Sequence, residues 1–221
     1  MFARPAAIAS ALGCVATLFA AAPPAMAASC SDVDVVFARG TGEPGGVGTI
    51  GQTFIDALRP QLGGRTVSTY GVNYPADYDF LNAASGADDA ATHIQSMVSS
   101  CPSTKIVLGG YSQGAAVVDI LANIPPLGNK IGGLQDRAGA IGEGAPLSAD
   151  LVPSVAAVAV FGNPSTKFSI PVTNSVFGDR AIDLCKDGDP ICSRGRNPFA
   201  HSDYATSGLT AQAANFVAGL L

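Results

Sequence analysis

The 221-residue chain is poor in charge and poorer still in histidine. Only 13% of its residues are Asp, Glu, Lys or Arg, and its two histidines are His93 and His201. Acids outnumber bases, giving a net charge of −5, and Lys and Arg form no cluster. Such a surface is unsuited to nucleic acid or to an anionic membrane. No cysteine pair has the C-x2-C spacing of a four-thiolate metal site, so no metal is expected. Past the N-terminus no apolar run is long enough to cross a bilayer, so no integral membrane association is expected. The chain has no internal repeat and no domain linker. It is rich in apolar residues, at 48%, enough for a substantial core and too many for a disordered chain.

The N-terminus, MFARPAAIASALGCVATLFAAAPPAMAA, has one Arg before a short apolar stretch and an A-x-A site at Ala25-Met26-Ala27. It reads as a secretory signal over residues 1–27, leaving 28–221 as a single exported domain, secreted or held at the cell envelope. Loss of Arg4 takes the net charge from −5 to −6. Cys14 leaves too, so five cysteines become four, and an even number in an exported chain reads as two disulfides. Cys185 and Cys192 are near neighbours and pair, leaving Cys30 with Cys101. The chain-entropy relation gives the long loop about 4 kcal/mol and the short one about 2.5 kcal/mol.

Strands and helices alternate along the chain. DVDVVFARG (32–40), RTVSTYGVNYP (65–75), KIVLGG (105–110), VPSVAAVAVFG (152–162) and AIDL (181–184) read as strands. Helical patterns lie near 50–62, over 85–101, after Ser112 and at the C-terminus. In the second helix Ser85 and Asp88 suggest a capping box, and Ala87, Ala91, Ile94 and Val98 share a face. Strands apolar on both faces predict an α/β fold whose parallel sheet is covered on both sides. The Gly-rich segment 125–150 reads as a surface flap or as disordered.

GGYSQGA contains G-x-S-x-G at Gly110, Ser112 and Gly114. The motif is weak alone, but here a strand precedes it and a helix follows. Such a strand-to-helix turn needs small neighbours and lifts the hydroxyl to a helix N-terminus. A nucleophilic serine needs a base. His93 precedes the serine and reads as a solvated helix histidine paired with Asp89. His201 follows the last strand, where a loop histidine reaches the top of the sheet. The acid lies between Ser112 and His201, among Asp119, Asp136, Glu143, Asp150, Asp179, Asp183, Asp187 and Asp189. Asp187 and Asp189 stand inside the Cys185–Cys192 loop, CKDGDPIC, where a covalent clamp would fix an acid that orients imidazole. Spacing does not separate these two. GVGTIG (46–51) matches a dinucleotide fingerprint, but it begins too far past the strand and lacks the later acid, so no nucleotide is expected.

Three stretches together resemble the cutinase family of serine esterases. PSTKIVLGGYSQG (102–114) is similar to the family's nucleophile signature. VVFARGT (35–41) is similar to its oxyanion strand and loop. CKDGDPIC, followed nine residues later by His201, resembles its acid-and-histidine segment. The resemblance implies a three-layer α/β/α sandwich, of the α/β-hydrolase type, around five parallel strands. It implies Ser112 as nucleophile, Asp189 as acid and His201 as base, with oxyanion donors at Thr41 and Gln113 and the same two disulfides. No cofactor or metal is then needed, and a monomer acting on a small ester or lipid is expected. Short- to medium-chain acyl esters are the implied substrates. The alternative is a lipase or phospholipase A, with Arg194 and Arg196 meeting a head group. A binding protein without catalysis on the same scaffold is a third reading. Arg194 replaces a common Gly, and the longer 125–150 segment also departs from compact relatives; both bear on substrate choice.

Overall fold

The computed structural model describes residues 1–2, 30–124 and 144–221. The predicted signal over 1–27 lies almost wholly outside them. So do Asp136, Glu143 and most of the 125–150 flap.

Five strands form one parallel sheet: β1 (Val33–Ala38), β2 (Val67–Gly71), β3 (Lys105–Tyr111), β4 (Val155–Phe161) and β5 (Ala181–Leu184). Their order across the sheet is β2-β1-β3-β4-β5. The central strands are buried almost throughout, which accounts for their continuous apolar sequence. Side chains alternate between the faces. Val33, Val35 and Phe37 meet α1 (Gly48–Leu58) and α4 (Leu209–Ala218), while Val36 and Ala38 meet α2 (Ala83–Ser100) and α3 (Gln113–Leu121). On the first face Phe37, Phe54 and Phe161 pack with ring centroids 5.9–6.3 Å apart.

From β1 the chain crosses to β2 on one side, and from β3 to β4 on the other. The sheet order therefore reverses between β1 and β3. In such folds a crevice opens there, beyond the carboxyl ends of the strands. Thr41 follows β1 and Ser112 follows β3, so this topology brings them together. A Cys30–Cys101 disulfide joins the start of β1 to the end of α2, and Cys185–Cys192 closes the loop after β5. Among the described residues, no helix is long and apolar enough to cross a membrane.

One local expectation fails. Ser85 and Asp88 do not cap α2, which begins at Ala83. A 3-10 turn, Phe80–Asn82, capped by the Asp79 carboxylate, feeds directly into the helix. Ser85 therefore lies inside the first turn, and its hydroxyl donates to the Asn82 carbonyl.

Candidate active site

The turn after β3 forces Ser112 into φ 55°, ψ −115°, a strained conformation for a residue with a side chain. Two glycines make it possible. A Cβ at Gly110 would stand 2.1 Å from the Gly114 carbonyl oxygen, and one at Gly114 would stand 1.9 Å from that of Ala38. The Ser112 N–H donates to Phe161 O at 2.9 Å, fastening the turn to β4. The hydroxyl thus stands at the N-terminus of α3, whose first N–H groups have no partner inside the helix.

His201 lies in a 3-10 turn, Pro198–Ser202. Its Nε2 is 2.8 Å from Ser112 Oγ, and its Nδ1 is 2.8 Å from Asp189 Oδ2. An ionised carboxylate only accepts, so Nδ1 carries the proton and Nε2 is free to accept from the serine. Gly162 leaves room for the ring: a Cβ there would lie 2.9 Å from the imidazole Cε1. Tyr111 holds the same residue from the other side, its hydroxyl donating to His201 O at 2.5 Å.

Asp189 is wholly buried, whereas Asp187 is exposed. Burial alone raises the Asp189 carboxyl, but hydrogen bonds from His201, Tyr204 and the Ile191 N–H outweigh it and hold the group below the usual carboxylate range. The loop that presents it is tied internally as well as by the disulfide: Asp189 N donates to Lys186 O, and Ser193 N to Asp189 O. Tyr204, which the sequence reading did not single out, donates to Asp189 Oδ2 at 2.6 Å. Its only sequence signal is its place three residues after the histidine.

Thr41 and Gln113 face each other across the serine. Thr41 Oγ1 donates to Gln113 Oε1 at 2.9 Å, and Gln113 Nε2 donates to Asp79 O at 3.3 Å. The Thr41 loop is braced by Glu43, whose carboxylate accepts from Gly40 N at 2.7 Å and from Thr49 N at 2.9 Å. Arg39 reinforces it by donating to the Tyr74 carbonyl at 2.7 Å. The Glu43 carboxylate occupies the N-terminus of α1, where a dinucleotide's phosphates would sit, so GVGTIG serves as the entry to α1 and its first turn. Between Thr41, Ser112 and His201 opens a largely apolar cleft of about 520 Å3, walled by Tyr78, Phe80 and Ile191.

The other candidates lie elsewhere. Asp119, on the buried α3, is bonded to Asn163 and Ser165; Asp183 bonds Asn163, Thr166 and the Val172 N–H. His93 does not pair with Asp89 and is not simply solvated. Its Nε2 lies 2.8 Å from Asp34 Oδ2, and its ring stacks on Tyr70 at 3.7 Å. Strand alternation turns Asp34 toward α2 and so supplies the partner, while Asp89 accepts from Tyr70 OH and Asn73 N. Arg194 and Arg196 are exposed and do not line the cleft. No cluster of metal-ligating side chains occurs among the described residues.

A serine on a strained strand-to-helix turn, backed by a histidine and a buried carboxylate, places the molecule among the serine hydrolases of α/β fold. Comparison with known proteins narrows that class. The family model for cutinase matches residues 29–221. The phospholipase Culp4 of Mycobacterium tuberculosis is 49% identical, over 90% of this chain and 82% of its own. The probable carboxylesterase Culp3 of the same species is also 49% identical, over 88% of this chain and 71% of its own. The solved structure of Trichoderma reesei cutinase with a phosphonate inhibitor is 37% identical with a TM-score of 0.65, over 86% of this chain and 77% of that one. The chain belongs to the cutinase family, and it is a serine esterase.

Proposed function

We propose that Ser112 is the nucleophile, His201 the base and Asp189 the acid of carboxylic ester hydrolysis. The observation that carries this is the 2.8 Å contact between His201 Nε2 and the Ser112 hydroxyl at the turn. Ser112 Oγ attacks the ester carbonyl carbon while Nε2 takes its proton. Backbone N–H groups of Thr41 and Gln113 receive the developing oxyanion. The ester C–O bond then breaks, and the imidazolium returns the proton to the departing alcohol. Water, deprotonated by the same nitrogen, attacks the acyl carbon; the bond from that carbon to Ser112 Oγ breaks, the imidazolium returns the proton to Oγ, and the carboxylic acid leaves.

The substrates are small esters with short- to medium-chain acyl groups. The modest apolar cleft supports this, since it offers walls for an acyl chain and, among the described residues, no Lys or Arg lines it for a head group. A lipase or phospholipase reading draws support from the exposed side chains of Tyr78 and Phe80 lining the cleft, and from the name of the Culp4 relative. The exported form is residues 28–221, released from the 1–27 signal, acting outside the cell as a monomer. Two disulfides fit that compartment.

Ser112→Ala should abolish p-nitrophenyl butyrate hydrolysis; retained turnover would overturn the assignment. Rates along an acyl-length series set against a phospholipid would then rank the two substrate readings, with butyrate expected to be fastest. A serine-reactive phosphonate should label Ser112, which a binding protein without catalysis would not allow.

A further inference from the structure

The short disulfide loop closes around a phenol. The Tyr204 ring is fully buried, packed edge-on to His201 at 6.3 Å and against Tyr111 at 5.6 Å. Its hydroxyl accepts from Lys186 N at 3.0 Å, touches Cys192 Sγ at 3.4 Å and donates to Asp189 Oδ2 at 2.6 Å. The loop residues meeting this one oxygen come from its beginning, its middle and its end. The oxygen's donor partner is fixed: it receives the Lys186 N–H, so its own proton goes to the carboxylate.

Oδ2 is also the atom that receives His201 Nδ1, at 2.8 Å. Two donors therefore share one carboxylate oxygen, while Oδ1 accepts from the Ile191 N–H at 2.8 Å. We infer that Tyr204 is a positioning residue for the acid–base pair: from inside the disulfide loop it fixes the oxygen that His201 uses and divides that oxygen's charge between two donors. This rests on the assignment of Ser112, His201 and Asp189 given above.

The consequence is electrostatic as well as geometric. A buried carboxylate with fewer donors concentrates its charge on those that remain. Without the phenol, Asp189 would pull harder on the Nδ1 proton and stabilise the imidazolium more. The neutral imidazole that accepts the serine proton would then be reached only at higher pH. The other titratable groups around the pair are Tyr111 on β3, the Lys186–Asp203 ion pair, exposed Asp187, and Glu43, which acts on Tyr111 from the β1–α1 loop. Tyr204→Phe leaves all of these in place. Burial raises both phenols, so neither ionises in the working range.

The test compares wild type, Tyr204→Phe, and protein carrying 3-fluorotyrosine at position 204, whose phenol is a stronger donor of nearly the same shape. Each is titrated with a p-nitrophenyl phosphonate, so rates are expressed per labelled Ser112. In Tyr204→Phe, kcat should fall roughly tenfold or more with KM little changed. The acid limb of its kcat/KM profile should move up by about half a pH unit. With 3-fluorotyrosine the limb should move down. If Tyr204→Phe does not fold, the fluorotyrosine arm decides alone. Unmoved limbs and an unchanged kcat per labelled site, with only Tm lowered, would overturn the inference and leave Tyr204 a packing residue. A wild-type protein that fails to label at Ser112 would instead overturn the underlying assignment.

Discussion

At the scale of single residues, burial separates Asp187 from Asp189 where spacing could not. Asp189 is wholly buried with three donors on its carboxylate, and Asp187 is exposed two residues away. Asp189→Asn can present an amide N–H to Nδ1 and so hold the wrong tautomer. It should lower kcat about 10⁴-fold, the scale of the same change in a serine protease. Asp187→Asn should stay within about twofold of wild type, as surface substitutions usually do. Steady-state rates on p-nitrophenyl butyrate, corrected for active-site titre, check both. Equal losses in the two variants would count against Asp189 as the acid. Glu43 makes a second residue-scale case. Its carboxylate joins the Gly40 N–H beside Thr41 to the first turn of α1. Glu43→Ala removes that brace, so kcat should fall with KM nearly constant, the pattern of an interaction felt mainly in the transition state.

At the scale of elements, the two disulfides have different work. Cys30–Cys101 spans a sequence separation of 71, and Cys185–Cys192 one of 7. Chain entropy gives their removal costs of about 4.4 and about 2.5 kcal/mol. The short bridge, though, clamps the loop that carries Asp189 and surrounds Tyr204. Cys185→Ser/Cys192→Ser should therefore cost turnover per folded molecule, and Cys30→Ser/Cys101→Ser mainly Tm. Full activity in the folded fraction of the first variant would make that bridge purely structural. The connection between β4 and β5 is held by a buried polar network. Asn163 Nδ2 donates to Asp119 on α3 at 3.0 Å and to Asp183 on β5 at 2.9 Å. This ties the segment after Gly162, beside the His201 ring, to α3, whose N-terminus carries Ser112. Asp119→Ala leaves a buried amide hydrogen without its acceptor and should cost about 1–3 kcal/mol by urea unfolding. Asp119→Asn keeps an acceptor for Asn163 and should cost less.

For the whole molecule, buried carboxylates shape the pH dependence of stability in opposite senses. Burial raises Asp119 well above its ordinary 3.8, and raises Asp183 as well, against their hydrogen bonds. Between the unfolded value and the raised folded one the native state binds more protons. These groups therefore erode stability as pH climbs from about 3.8 through their folded values. Asp189, lowered in the folded state, stabilises above its unfolded value, and that contribution is lost as pH falls through its folded one. Urea midpoints across pH should therefore decline on the alkaline side of a maximum, and Asp119→Asn should flatten that decline. An unchanged slope in that variant would show that Asp119 is ionised throughout.

The features already legible in the primary structure are those whose physics is local. Continuous apolar, β-branched runs mark the central strands, which are buried on both faces. Flanking glycines mark the turn at Ser112, because only they clear the Gly114 and Ala38 backbone. With two histidines in the chain, the base had almost no competitors. Other features depend on which distant segments the sheet order brings side by side. His93 was assigned to Asp89 on its own helix, yet its partner Asp34 comes from β1, 59 residues away. Ser85 looked like a cap because nothing in its neighbourhood announces the 3-10 turn that starts the helix earlier. The burial of Asp189, the contact of the Tyr204 hydroxyl with the disulfide loop, and the place of Glu43 at the N-terminus of α1 are decided only by the closed fold. Burial and hydrogen-bond direction are properties of packed neighbours, and strand alternation and topology, rather than nearness along the chain, select those neighbours.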